Sequence, residues 1–229
     1  MRKYFITATD TDAGKTFVAT ALVKALVNQA KTVAVYKPIS AGCNIINGQL
    51  VNEDALLLQK AANCDQSIAS INPIAFKEPI APHIAAFNAQ KTLSVKALQY
   101  NYEKLIALNP DIIITEGAGG WRLPLGNGAF LSDFATATTQ QVILVVNMKL
   151  GCLNHAILTL ESILADGLEC IGWVANAYQD MDYLEENITE LVTLLNIPML
   201  AKLTREKDIE HAAVKFDLTL LSCCGVVRL

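Results

Sequence analysis

The sequence predicts an α/β protein with a doubly wound, mainly parallel sheet covered by helices on both faces, and three observations point there. Short apolar runs rich in Ile and Val recur along the chain, each too continuous for a strand with one face in water. Helical stretches separate them, and crossovers of that length are mostly right-handed. Of the 229 residues, 52% are hydrophobic and 17% charged, which supplies one sizeable core and excludes a disordered chain.

The elements follow in order. Tyr4 to Ala8 reads as the first strand, and the helix Lys15 to Gln29 follows it. Thr32 to Tyr36 is the second strand; after it come a helix over Glu53 to Ala62 and another over Ser94 to Leu108. Ile112 to Thr115, Val142 to Val146, Ile171 to Ala175 and Met199 to Ala201 complete the strands, with helices over Leu153 to Asp166 and Asp182 to Leu195. The stretches Ser40 to Asn52 and Asn63 to Thr92 read as irregular, and long loops in such folds often hold the site. No repeat, low-complexity tract or Gly/Ser linker divides the chain, so one domain over residues 1–229 is expected.

Lys+Arg 18 against Asp+Glu 22 gives a net charge of -4 with no lysine-rich run, which argues against nucleic acid and anionic membrane surfaces as partners. Mean hydropathy is +0.34, yet no apolar run approaches the roughly 20 residues of a spanning helix. Met1-Arg2-Lys3-Tyr4 passes straight into a strand without a signal-like apolar region, so a cytoplasmic protein is expected. The six cysteines (43, 64, 152, 170, 223 and 224) show no CxxC spacing and read as small buried hydrophobes, with neither zinc nor disulfides indicated.

The segment Ala8-Thr9-Asp10-Thr11-Asp12-Ala13-Gly14-Lys15-Thr16 links the first strand to the first helix. Backbone N–H groups and the positive helix end there would surround a polyphosphate. Lys15 would reach the outer phosphates and the Thr16 hydroxyl would ligate Mg²⁺, as in a phosphate-binding loop. Thr9 stands where the strict pattern has Gly, and the bland alternative is an ordinary turn with a surface lysine. The position on the first strand-to-helix turn of a parallel sheet favours the nucleotide site.

Tyr36-Lys37-Pro38 ends the second strand with a lysine and a residue that stops pairing, which brings the ammonium to the carboxyl edge of the sheet. Ile112 to Glu116 followed by Gly117-Ala118-Gly119-Gly120 is a buried strand ending in a carboxylate and a glycine-rich turn, so Glu116 is a candidate Mg²⁺ ligand. Asp54 sits at a helix start, where the helix dipole alone would account for an acid. His83 and His155 receive no role.

Together, ATDTDAGKT, YKP, NED, EPIAPH, TEGAGGW, ILVVNMKLGCLNH and GWVAN, in this order from residue 2 to about 205, resemble the dethiobiotin synthetase family. That resemblance implies a phosphate-loop NTPase fold and a Mg²⁺- and ATP-dependent ring closure. The reaction joins 7,8-diaminononanoate and CO₂ or bicarbonate through a carbamate and a carbamic-phosphoric anhydride, giving a cyclic urea, ADP and phosphate. Each step builds negative charge on oxygen, so fixed cations and N–H groups are the expected catalysts.

The resemblance carries roles to particular positions. Lys37, Lys15 and Thr11 would be catalytic, and Thr16, Asp54 and Glu116 would hold Mg²⁺. ATP would be held by Asp12, Ala13, Gly14, Lys15, Thr16, Phe17, Asp54, Glu116, Gly117, Ala118, Gly119, Asn176, Ala177 and Thr204, with Asn176 at the adenine edge. The diamine would meet Lys37, Ser40 and Ala41, while its carboxylate would reach Gly151, Cys152, Leu153 and Asn154 of a neighbouring subunit in a homodimer with composite sites. The chain departs from the family's pattern at Ala8, Ala41 and Thr204. The competing class is a nucleotide-switch ATPase of the partitioning or septum-positioning type, whose extra loop lysine is here Asp10 and whose amphipathic membrane tail is missing.

Overall fold

The computed structural model describes residues 1–222, so Cys223 and Cys224 of the cysteine set lie outside the described residues. Six strands form the main sheet: β1 (Arg2–Ala8), β2 (Val33–Tyr36), β3 (Ile112–Glu116), β4 (Gln141–Asn147), β5 (Cys170–Asn176) and β6 (Met199–Leu203). Their order is β6-β5-β4-β1-β3-β2, and every pairing is parallel. All carboxyl ends therefore lie along one edge. The chain winds from β1 outward to β2, returns to β3, then crosses to β4 on the other side of β1. This reversal opens a crevice at the carboxyl ends beside β1, the place where such sheets bind ligands.

The helices are α1 (Lys15–Asn28), α2 (Glu53–Ala61), α3 (Val95–Ile106), α4 (Leu131–Ala137), α5 (Cys152–Ala165) and α6 (Leu184–Leu195), with further short ones at Ile68–Ile71, Pro82–Asn88 and Ile209–Ala213. Alternate residues of each strand point to opposite faces. Tyr4, Ile6 and Ala8 of β1 thus join Val18 and Leu22 of α1, Leu58 of α2 and Ala212 in one buried cluster. Phe5 of the same strand joins Tyr102 of α3, Phe134 of α4, Ile163 of α5 and Leu191 of α6 in the other. Burial on both faces explains why the strands read as continuous apolar runs.

Every expected strand and the five expected helices are present, with ends shifted by one or two residues. The loops expected to be irregular carry structure of their own, including a hairpin of Asn44–Ile46 and Gln49–Val51. Cys43, Cys152 and Cys170 are buried free thiols as expected, whereas Cys64 is partly exposed because it lies in the loop after α2. Among the described residues no helix is long and apolar enough to cross a membrane.

β2 is an edge strand, yet its outer backbone groups are not left to water. Asn63 Oδ1 accepts from Val33 N at 2.8 Å, while Gln66 Oε1 accepts from Val35 N at 2.8 Å and Gln66 Nε2 donates to Val35 O at 2.9 Å. Side-chain amides thus take the place of a neighbouring strand and protect the edge.

Candidate active site

Register decides which side chains meet at the carboxyl edge. Tyr36 of β2 pairs with Thr115 of β3, and Ile6 of β1 pairs with Glu116, so Lys37 leaves β2 level with Glu116 beside the loop that follows β1. The Lys37 ammonium lies 2.7 Å from Glu116 Oε1 and 2.9 Å from Asp54 Oδ2. Thr16, in the first turn of α1, donates its hydroxyl to the same Glu116 oxygen at 2.7 Å. Asn52 caps α2, its Oδ1 accepting from Ala55 N at 3.4 Å, and this sets Asp54 in the first turn pointing at Lys37. Asp54 is therefore more than a charge on a helix dipole. Its carboxylate belongs to the cluster.

Lys37 and Glu116 have side chains only 5% and 1% exposed, so their charges interact with little screening by water. Burial works against the Lys37 ammonium, but Glu116 and Asp54 outweigh it and hold its pKa above the usual value. Burial likewise opposes the Asp54 carboxylate, and Lys37 reverses the balance, so its pKa falls below the usual range. Lys15, buried at the head of α1, has its pKa pushed down to about 8, chiefly by burial, with Glu116 acting in the opposite sense. Its ammonium donates to the Asp10 carbonyl at 3.3 Å.

The loop itself is held in shape from two sides. Gly14 takes φ +79°, and the Asn176 amide at the end of β5 packs against it while donating to the Ala13 carbonyl at 2.8 Å. Asp10 pairs with Lys149, from the turn between β4 and α5, at 2.6 Å, and this hydrogen bond lowers the Asp10 pKa. Gly117 N donates to Ile6 O at 3.0 Å; a Cβ there would come within 3.0 Å of the Phe5 ring, so the β3 turn can lie against β1 only without a side chain. A methyl at Gly119 would sit 3.8 Å from the Thr11 hydroxyl, so this turn borders the phosphate loop. Asp12 is exposed, whereas Phe17 and Ala118 pack from opposite sides against the two core clusters.

Of the residues singled out in the sequence, Lys15, Thr16, Lys37, Asp54 and Glu116 thus form one cluster. Ala177 and Thr204 line a separate cavity of about 340 Å³ with Asp180, Met181 and Arg205, beyond Asn176. Ser40 is buried, and its hydroxyl donates to Asn72 Oδ1 at 2.6 Å; its neighbour Ala41 is partly exposed. Gly151 to Asn154 form the start of α5, with Gly151 at φ +94° and Cys152 buried. The preceding Leu150 is 96% exposed. Sequence reading missed Asn72 and Lys149, whose partners lie 35 and 139 positions away.

Glu116 Oε2 is buried without a hydrogen-bond partner, an arrangement that suits a ligand-bound cation. Two carboxylates and a hydroxyl are the hard oxygen donors that Mg²⁺ prefers. No group of three or more His, Cys, Asp or Glu gathers among the described residues, so phosphate oxygens and water would supply the rest of the shell.

A family model described as an AAA domain matches residues 2–213. The ATP-dependent dethiobiotin synthetase BioD of Alteromonas mediterranea is 47% identical over 233 residues, covering 97% of this chain and 100% of that protein. The protein of the same name from Pseudoalteromonas translucida is 45% identical, covering 88% of this chain and 89% of its own. Among solved structures, the MinC:MinD cell division protein complex of Aquifex aeolicus aligns with a TM-score of 0.58 at 13% identity, over 97% of this chain and 89% of that one. At that identity the likeness concerns the fold alone.

Proposed function

The chain belongs to the dethiobiotin synthetase family, and from that premise we propose how its residues carry the reaction. It is an ATP-dependent ligase that closes the ureido ring of dethiobiotin on 7,8-diaminononanoate. The observation that carries the assignment of roles is the Lys37 ammonium, held 2.7 Å from Glu116 and 2.9 Å from Asp54 at the mouth of the phosphate loop.

One amine of the substrate adds to CO₂ and loses a proton, leaving a carbamate. A carbamate oxygen attacks the γ-phosphorus and ADP departs; the second amine then attacks the carbonyl carbon, loses a proton and expels phosphate. The backbone N–H groups from Asp12 to Thr16, Lys15 and Thr11 receive the phosphate oxygens, whose charge grows in flight. Lys37 neutralises the carbamate and the transferring phosphoryl group, a role for which its carboxylate partners keep it protonated. Thr16, Asp54 and Glu116 would hold Mg²⁺, which when bound supplies further charge neutralisation on the phosphates.

Asn176 spends one amide hydrogen on Ala13, which leaves its second hydrogen and its Oδ1 for the edge of the base. The cavity beyond it, bordered by Ala177 and Thr204, then receives the adenine. Gly117 to Gly119 line the nucleotide from the β3 side. At the start of α5 the Cys152 N–H already donates to Lys149 O at 2.9 Å, so the N–H groups of Leu153 and Asn154 are the ones that face the substrate carboxylate, and the exposed Leu150 and Leu158 beside them favour pairing with a second copy whose turn completes this site. Asp10, held by Lys149, speaks against a nucleotide switch built on a cation at that position.

Lys37→Ala tests the assignment. Nucleotide affinity, measured by titration, should stay close to that of the unmodified protein while turnover falls by orders of magnitude, since the charge acts mainly in the transition state. Near-normal turnover would refute it.

A further inference from the structure

Lys37 depends on geometry finer than its ion pairs. Its backbone continues the edge of β2 past the strand's end: Lys37 N donates to Ile71 O at 2.8 Å, and Asn72 Nδ2 donates to Lys37 O at 2.7 Å. Asn63, Gln66 and Asn72 thus engage Val33, Val35 and Lys37, alternate residues of one extended stretch. The last member differs from the others. Asn72, buried at 5% exposure, also accepts the Ser40 hydroxyl at 2.6 Å and reaches the Ile74 carbonyl at 3.3 Å. Ser40 in turn lies 3.1 Å from the buried Cys43 Sγ. One carboxamide therefore ties the backbone of the lysine to the loop that starts at Ser40.

We propose that Asn72 is a positioning residue for the reaction: by holding the Lys37 carbonyl and the Ser40 hydroxyl together, it fixes where the Lys37 ammonium meets the carbamate and the transferring phosphoryl group. This rests on the reading of Lys37 given above. The chemistry is suited to it. An amide side chain donates and accepts at once, so no ionised group is placed next to the Lys37–Glu116 pair. Ser40, with its hydroxyl turned inward to Asn72, acts through the same link. A buried lysine whose ammonium is already balanced between two carboxylates tolerates little displacement, because a shift of about 1 Å at a reacting centre can lower a rate on the order of 100-fold.

The test compares Asn72→Ala with Gln66→Ala, because Gln66 makes the same kind of buried backbone pair one step further from the site. Steady-state kinetics, ATP titration and thermal melts are measured on the full chain. Asn72→Ala should lower kcat and kcat/KM together, by roughly 10- to 100-fold, with ATP affinity unchanged, as expected when an interaction made in the transition state is disturbed. Gln66→Ala should lower the melting temperature at least as much and leave kcat within about threefold. Equal loss of kcat in the two variants, or an unchanged kcat in Asn72→Ala, would overturn the proposal. If Asn72→Ala does not fold, Ser40→Ala decides: a lower kcat at constant KM for the diamine supports the link, and a raised KM alone, or no change, refutes it. Normal turnover in Lys37→Ala would instead bring down the underlying reading of the lysine, whatever Asn72→Ala does.

Discussion

Replacing Gly14 by Ala puts the contact between the phosphate loop and β5 to a quantitative test. Gly14 has φ +79°, a region in which an L side chain costs about 1–2 kcal/mol. The added Cβ would also lie 2.2 Å from Asn176 Nδ2, closer than any real contact. The Asn176 amide must then turn away and surrender its 2.8 Å bond to the Ala13 carbonyl. A buried carbonyl left without its donor costs about 1–3 kcal/mol. Reduced freedom of the unfolded chain returns about 0.4–1 kcal/mol. The expected net loss is about 3 kcal/mol, or roughly 6–12 °C in melting temperature for a chain of this size.

Gly48 provides the control. It has φ +78° and nothing within 4 Å of its added Cβ, so Gly48→Ala bears only the conformational cost less the same unfolded-state return, about 1 kcal/mol net, and should fall only about a third as far. Calorimetry on both variants, and on the double variant Gly14→Ala/Asn176→Ala, separates the terms. In the double variant the clash is gone, so the two changes should cost less together than their sum, by about 1–3 kcal/mol. ATP affinity should fall at least about tenfold in Gly14→Ala if half the loss resides in the loop. Equal losses for Gly14→Ala and Gly48→Ala, or strict additivity, would refute the argument.

Two further outcomes follow from the site. Glu116→Gln, which keeps the shape of the side chain but removes the charge facing Thr16 and Lys37, should raise the Mg²⁺ concentration needed for half-maximal rate; an unchanged Mg²⁺ titration would remove Glu116 from the metal's ligands. A mixture of Lys37→Ala and Gly151→Glu, each inactive alone, should regain activity once subunits exchange, because one site in each heterodimer is intact; verified heterodimers without activity would rule out a shared site.

What could be read from the sequence follows the range of the interactions involved. The strands were legible because each is buried on both faces, and Lys37 and Glu116 because each stands at the end of such a strand. Helix α4 and the Pro82–Asn88 helix are only 7 residues long, too short for a helical period to stand out from the pattern of the loops around them. The Asn44–Val51 hairpin did have a local signal, Asn47-Gly48 with both residues at positive φ, which the apolar pattern obscured. The true setting of Asp54 needed the register of β2 on β3, since its charge partner comes from another element. Asn72 was illegible for the same reason: a neutral amide in a long loop acquires meaning only when Lys37 and Ser40 are folded onto it.

Phosphate release measured with each substrate left out in turn separates a ring-closing ligase from a nucleotide switch. With ATP and Mg²⁺ present, release should require both 7,8-diaminononanoate and bicarbonate, and should match the ring-closed product one for one. Release that continues unchanged without the diamine and bicarbonate would contradict the account and mark the protein as a nucleotide switch.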